Sequence, residues 1–167
     1  MSLESVQAWL AIHAPDIALI DQGASTATVA EAAVALGVAP AQIAKTLSLR
    51  LKDEVVLLVT RGDARLDNRK TKDRFGARPR MLGGEDAEAI TGHPVGGICP
   101  FGLASPLPVY CDVSLKDFDL VYPAAGSRTA SVCLTPQRLF ELVGAGWVDI
   151  CSLAEADTIS SSTIACA

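Results

Sequence analysis

Two histidines in 167 residues, with no paired spacing, leave little from which to build a metal centre. The five cysteines, at 99, 111, 133, 151 and 166, form an odd and widely spaced set with no Cys-x-x-Cys pair. They give neither a disulfide framework nor a zinc site, and fit reduced thiols in the cytoplasm. No apolar run approaches the ~18 residues of a membrane span. The N-terminus also lacks the charged-then-apolar layout of a secretory signal. Neither a Gly-x-Gly-x-x-Gly nor a phosphate-loop fingerprint occurs, which disfavours a nucleotide cofactor. No internal repeat is visible. What remains is half hydrophobic and one fifth charged, the composition of one soluble intracellular domain with a substantial core.

The net charge of −5 argues against wholesale nucleic-acid binding, but its distribution does not. Arg61, Arg65, Arg69, Lys70, Lys72, Arg74, Arg78 and Arg80 stand against Asp63, Asp67 and Asp73. These eight positive and three negative charges give a local +5, leaving −10 on the rest of the chain. Such a segment suits a polyanion through phosphate contacts and counterion release, and equally suits a solvated helix surface.

Helical spacing of Leu3, Val6, Leu10 and His13 predicts an opening amphipathic helix over 3–13. Thr28 with Glu31 three residues on marks a second helix start, ending at Gly37. Two strands follow, Lys45–Leu51 with alternating leucines and Val55–Thr60 apolar throughout, joined by the turn at Lys52-Asp53-Glu54. Asp67 can cap a basic helix ending at Gly76. A short strand near Arg80–Leu82 and a helix near Glu85–Ile90 come next. Pro108–Val113, Leu120–Tyr122 and Ser131–Leu134 read as strands, and Pro136 opens a last helix to Val143. The expected architecture is a compact α/β domain over residues 1–153, with a mixed, largely antiparallel sheet and surrounding helices. The Ser/Thr-rich residues 154–167 are expected to be a poorly ordered tail.

Gly96-Gly97-Ile98-Cys99-Pro100-Phe101-Gly102 holds three glycines and a proline in seven residues, a shaped loop rather than a helix or central strand. Its amides can cradle an oxyanion, or the loop can be a tight connection. Lys45, at a strand end, can complement an anion as a point charge or be an ordinary exposed lysine. Cys99 with His93 as base would be a thiol nucleophile; a buried small hydrophobe is the commoner role of a lone cysteine. Asp112 can orient a water or a ribose hydroxyl, or cap the next turn at Ser114. Gly126-Ser127-Arg128 can wall a pocket or form a hairpin turn.

Taken in order, several segments resemble the YbaK/ProX family of free-standing aminoacyl-tRNA deacylases, relatives of the editing domain inserted in bacterial prolyl-tRNA synthetase. They are Ala35-Leu36-Gly37-Val38, Gln42-Ile43-Ala44-Lys45-Thr46-Leu47, Gly62-Asp63, Leu66-Asp67, Thr91-Gly92, the 96–102 loop and Ala125-Gly126. The similarity spans about residues 25–150. It implies hydrolysis of the ester joining a wrong small amino acid, such as alanine or cysteine, to tRNA, with tRNA(Pro) as the expected substrate. It further implies no metal or dissociable cofactor, a cytoplasmic location, and a mischarged tRNA and a synthetase as partners. By resemblance, Lys45 holds the terminal adenosine or its phosphate. The backbone of Gly96, Gly97, Ile98, Cys99 and Pro100 engages the aminoacyl carbonyl. Thr46, Phe101, Gly102, Asp112, Gly126, Ser127 and Arg128 complete the substrate site. The family's sorting histidine has no counterpart in Ser127-Arg128-Thr129-Ala130-Ser131. The competing reading is a module that binds charged tRNA or a synthetase without hydrolysis, and a Cys99 hydrolase of small esters is a third.

Overall fold

The computed structural model describes residues 2–144 and 146–153; the expected tail lies outside them. Among the described residues the chain runs through helix α1 (Ser2–His13), strand β1 (Ile20–Asp21), α2 (Val29–Leu36) and a 3₁₀ turn at Pro40–Gln42. The central pair follows, β2 (Ile43–Leu51) and β3 (Glu54–Arg61), then β4 (Ala64–Leu66), α3 (Asn68–Phe75), β5 (Arg80–Met81) and α4 (Gly84–Thr91). Beyond the glycine loop come β6 (Val109–Asp112), a 3₁₀ turn at Val113–Asp117, β7 (Tyr122–Pro123) and β8 (Ala130–Ser131). The chain closes with α5 (Pro136–Val143), β9 (Gly146–Val148) and β10 (Cys151–Leu153).

Helix ends follow local chemistry. The Thr28 hydroxyl accepts the Glu31 N–H at 3.1 Å, and Asp67 accepts the Lys70 N–H at 3.0 Å, each satisfying an orphan donor of a first turn. Gly37 and Gly76 end their helices in the left-handed conformation. The two-residue turn Lys52-Asp53 closes β2 onto β3, with Lys52 at φ 57° as hairpin twist requires.

The main sheet has the order β5-β2-β3-β6-β9, with β7 also beside β2. β2 pairs antiparallel with β3 and β5, whereas β3–β6, β6–β9 and β2–β7 are parallel. β3 is therefore interior, and its uninterrupted apolar run is what burial on both faces demands. One face carries Leu57, Val59, Val109 and Cys111 against α1, the glycine loop and Leu139 of α5. The other carries Leu49, Leu51, Val56 and Leu58 against the β4–β10 ribbon and Phe75 of α3. The alternation in β2 predicts one buried face; Ser48, on the other, is also buried, because the glycine loop and α1 cover that side.

Candidate active site

At the start of β2 the sheet opens into a cavity of about 210 Å³. Its floor is Ile43, Ala44, Lys45 and Thr46; α2 and the segment before it supply Thr26 to Val29 and Ala32. The glycine loop closes it with Val95, Gly96 and Ile98, and Tyr122, Ala124 and Ser131 complete the wall.

The loop is shaped by one turn. The Gly97 N–H donates to the Pro94 carbonyl at 2.8 Å, and Gly96 at the third turn position has φ 93°, a conformation side chains disfavour. Gly97 itself sits where a Cβ would lie 2.7 Å from the Ser127 N, and its carbonyl accepts the Gly126 N–H at 3.0 Å. Its amide is thus spent on the turn. The N–H groups of Gly96 and Ile98, two loop residues that line the cavity, have no hydrogen-bond partner among the described residues.

The remaining loop residues point inward. Cys99, Pro100 and Phe101 are buried, and Phe101 packs on Trp9 with ring centroids 5.5 Å apart. Gly102 meets α1, where a Cβ would stand 2.6 Å from the Ser5 carbonyl. Cys99 Sγ does lie 3.6 Å from His93 Nε2. That nitrogen, however, is 2.7 Å from the Phe101 carbonyl, which can only accept, so Nε2 carries the proton. Nδ1 receives the Ser2 hydroxyl. Neither nitrogen is a free base. Burial pushes the Cys99 thiol up to about 12 and lowers the His93 pKa, so both groups stay neutral. The pair is structural, joining α1 to the loop.

Lys45 and Thr46 occupy opposite faces of β2. Lys45 is among the residues that line the cavity, while its Nζ donates to the Ala64 carbonyl at 2.5 Å beside Asp63 and Cys151. Burial lowers its pKa, partly offset by those neighbours. To meet an anion in the cavity the ammonium must exchange that carbonyl contact for the new one. Thr46 lies on the loop side, and its hydroxyl is buried without a partner.

Asp112 stands apart from the cavity. It is buried and accepts from the Ser114 N–H at 3.1 Å and the Ile150 N–H at 2.9 Å, the cap reading of its position. Gly126 packs on the Ser2 carbonyl, and the Ser127 hydroxyl accepts the Ala130 N–H at 3.1 Å within its own turn. Arg128 holds the rim from both sides. Its carbonyl receives the Thr26 N–H at 2.6 Å and hydroxyl at 3.0 Å, and its Nε donates to the Val95 carbonyl at 2.8 Å.

Thr26, Ala27, Val29, Ala32, Val95, Tyr122, Ala124 and Ser131 are lining residues that the sequence reading did not single out. Only the fold brings these short segments together. In the basic segment, Arg61 is bound to Asp63 and Asp117, and Lys70 to Asp149. Arg65, Arg69, Lys72, Arg74, Arg78 and Arg80 remain exposed, and Arg69, Lys72 and Arg78 share a surface groove with Asn68 and Asp73. Among the described residues no helix is long and apolar enough to cross a membrane, and no group of three metal-ligating side chains occurs.

A mixed sheet opened at one strand end, with a small amide-lined cavity there, is the frame of an editing domain. The chain belongs to the aminoacyl-tRNA editing domain family, whose model matches residues 24–142. It is 44% identical over 153 residues to the uncharacterized protein YwhH of Bacillus subtilis, covering 90% of this chain and 98% of that one. To the proposed Cys-tRNA(Pro)/Cys-tRNA(Cys) deacylase EbsC of Enterococcus faecalis it is 29% identical, over 71% and 73% of the two chains. A proline–tRNA ligase of Citrifermentans bemidjiense matches over 53% of this chain but only 16% of its own length, at 34% identity. A crystal structure of a proposed trans-editing enzyme for prolyl-tRNA synthetase superposes with a TM-score of 0.83 at 32% identity, covering 90% of this chain and 97% of that one.

Proposed function

We propose that this protein is an aminoacyl-tRNA deacylase acting in trans, removing a small wrongly attached residue such as alanine or cysteine, with tRNA(Pro) as its principal substrate. The observation that carries the reading is that Gly96 and Ile98, whose amides are unpartnered among the described residues, line one cavity of about 210 Å³ together with Thr46. An aminoacyl ester is already activated. Its hydrolysis needs a positioned water and donors for the developing oxyanion, with no nucleophilic side chain. Two amides in a site walled by the apolar side chains of Val29, Ile43, Val95 and Ile98 supply those donors. The cavity's size favours a short side chain. Lys45, released from Ala64, takes the terminal phosphate or adenosine. The exposed arginines and lysines around α3 take the acceptor-arm backbone through counterion release. The relatives named for Cys-tRNA(Pro) deacylation and for trans-editing support the choice of substrate, and the match within proline–tRNA ligases supports prolyl-tRNA synthetase as a partner.

The test is deacylation of a panel of mischarged tRNAs by the wild-type chain and by Lys45→Ala. Ala- or Cys-tRNA(Pro) should be hydrolysed fastest, and the variant should lose at least ~100-fold in kcat/KM, on the order of 3 kcal/mol of transition-state stabilisation, with an unchanged melting curve. Charged tRNA that is bound and never turned over would instead make the protein a binding module. Unchanged hydrolysis by Lys45→Ala would remove the lysine from the mechanism.

A further inference from the structure

The edge of β2 that faces away from β3 is covered by two short partners with a break between them. β7 pairs at Ile43 and Ala44, and β5 at Leu49 and Arg50. The Leu82 N–H closes on the Ser48 carbonyl at 3.0 Å, so Ser48 presents its backbone to this edge. By the two-residue alternation of a strand, the N–H and C=O of Thr46 point the same way. No backbone or side-chain group among the described residues meets them. The Thr46 hydroxyl, on the loop-facing side of the strand, is a second and separate vacancy, buried and unbonded. Thr46 lines the cavity, and its hydroxyl is a buried oxygen of the kind that folded proteins seldom leave unbonded.

We infer that this one-residue gap recognises the main-chain atoms of the aminoacyl group, which adds to β2 as a strand one residue long. Its α-ammonium donates to the Thr46 carbonyl, and its ester carbonyl accepts from the Thr46 N–H, opposite the Gly96 and Ile98 amides. That reciprocal pair is the hydrogen-bonded unit of an antiparallel ladder, and the capture is β-augmentation at its shortest length. The ammonium has a second acceptor in Thr46 Oγ1. No Asp or Glu lines the cavity, so carbonyl and hydroxyl dipoles receive the positive charge. β7 and β5 close the gap at both ends. A residue attached to the α-nitrogen would run into one of them, so the site admits an aminoacyl ester and rejects a peptidyl or N-acylated one.

The identity of the ligand rests on the deacylase reading; the pairing at Thr46 is a separate claim with its own test. Three non-hydrolysable 3′-amide analogues of adenosine, carrying alanyl, lactyl and N-acetylalanyl groups, are titrated into ¹⁵N-labelled protein. The alanyl compound should shift the Thr46 amide and slow its hydrogen exchange. The other two should bind at least about tenfold more weakly, the loss of one charge-assisted hydrogen bond. Thr46→Val, which keeps the backbone pair and removes the hydroxyl, should weaken alanyl binding less than the loss of the amino group does. Equal binding of the three analogues, or an alanyl complex in which Thr46 exchanges as in the free protein, overturns the inference. So does equal acceleration, over the spontaneous rate, of alanyl- and lactyl-tRNA hydrolysis, an outcome that leaves the deacylase reading standing. Pairing at Thr46 without turnover of any charged tRNA would do the reverse.

Discussion

Gly96 to Ile98 and Cys99 to Phe101 are neighbouring triplets of one loop, yet they serve opposite ends of the physics. The first triplet has two unbonded amides, at residues that line a cavity, and takes its shape from a turn that only glycine adopts readily. The second has no exposure to lose: Cys99 and Phe101 are wholly buried, in contact with α1 and His93. The same segment therefore anchors itself with its rear half and, in the proposed reaction, works with its front half. A loop that must hold donors in place needs such an anchor, because an amide that can drift stabilises no oxyanion.

That contrast can be broken most forcefully at Phe101. Truncation to alanine should lower the unfolding free energy by about 3–5 kcal/mol, read by urea denaturation, while activity per folded molecule changes far less. Ile98→Ala tests the other half. It should cost the fold less than Phe101→Ala and widen the cavity. The kcat/KM ratio for a bulkier over a smaller aminoacyl ester should then rise by about tenfold, the scale of one or two methylenes in a pocket. His93 supplies a weaker probe through pH. Burial holds its folded pKa below the unfolded ~6.5, so the unfolded chain binds the proton first as pH falls. Stability should therefore decline from about pH 6.5 down to the folded value and then level off, and this decline should flatten in His93→Gln. The smallest effect is expected at Cys99. With its thiol pushed up to about 12 and no free base beside it, Cys99→Ala should leave kcat/KM within about twofold. A larger loss would restore covalent catalysis as the explanation.

Much of the frame was legible in the residues because its signals are local. Thr28, Asp67, Gly37 and Gly76 mark helix ends through one hydrogen bond or one dihedral each, and the leucine alternation of β2 beside the solid run of β3 marks the central pair. β1, β4, β9 and β10 escaped. Strands of two or three residues carry no measurable period, and they form only because a distant partner is delivered to them, as Cys151–Leu153 is to Ala64–Leu66. The site divides the same way. Lys45, Thr46, Gly96 and Ile98 stand out by composition and family likeness, and they line one cavity. Thr26, Val95 and Tyr122 had no signal, since each earns its place only through tertiary contact. Phe101 and Asp112 share sequence neighbourhoods with the site but face the core.

Four glycines in and beside the loop stand against main chain or a first side-chain carbon: Gly96, which lines the cavity, on Ala27, Gly97 on Ser127, and, on the α1 side, Gly102 on Ser5 and Gly126 on Ser2. The seating of the loop is thus cast in backbone, while side chains line most of the cavity. A frame of that kind allows its selectivity to be retuned without being rebuilt. Exchanging Val29, Val95 or Ile98 alters what fits, while any side chain at Gly97 or Gly102 pushes one stretch of main chain off another.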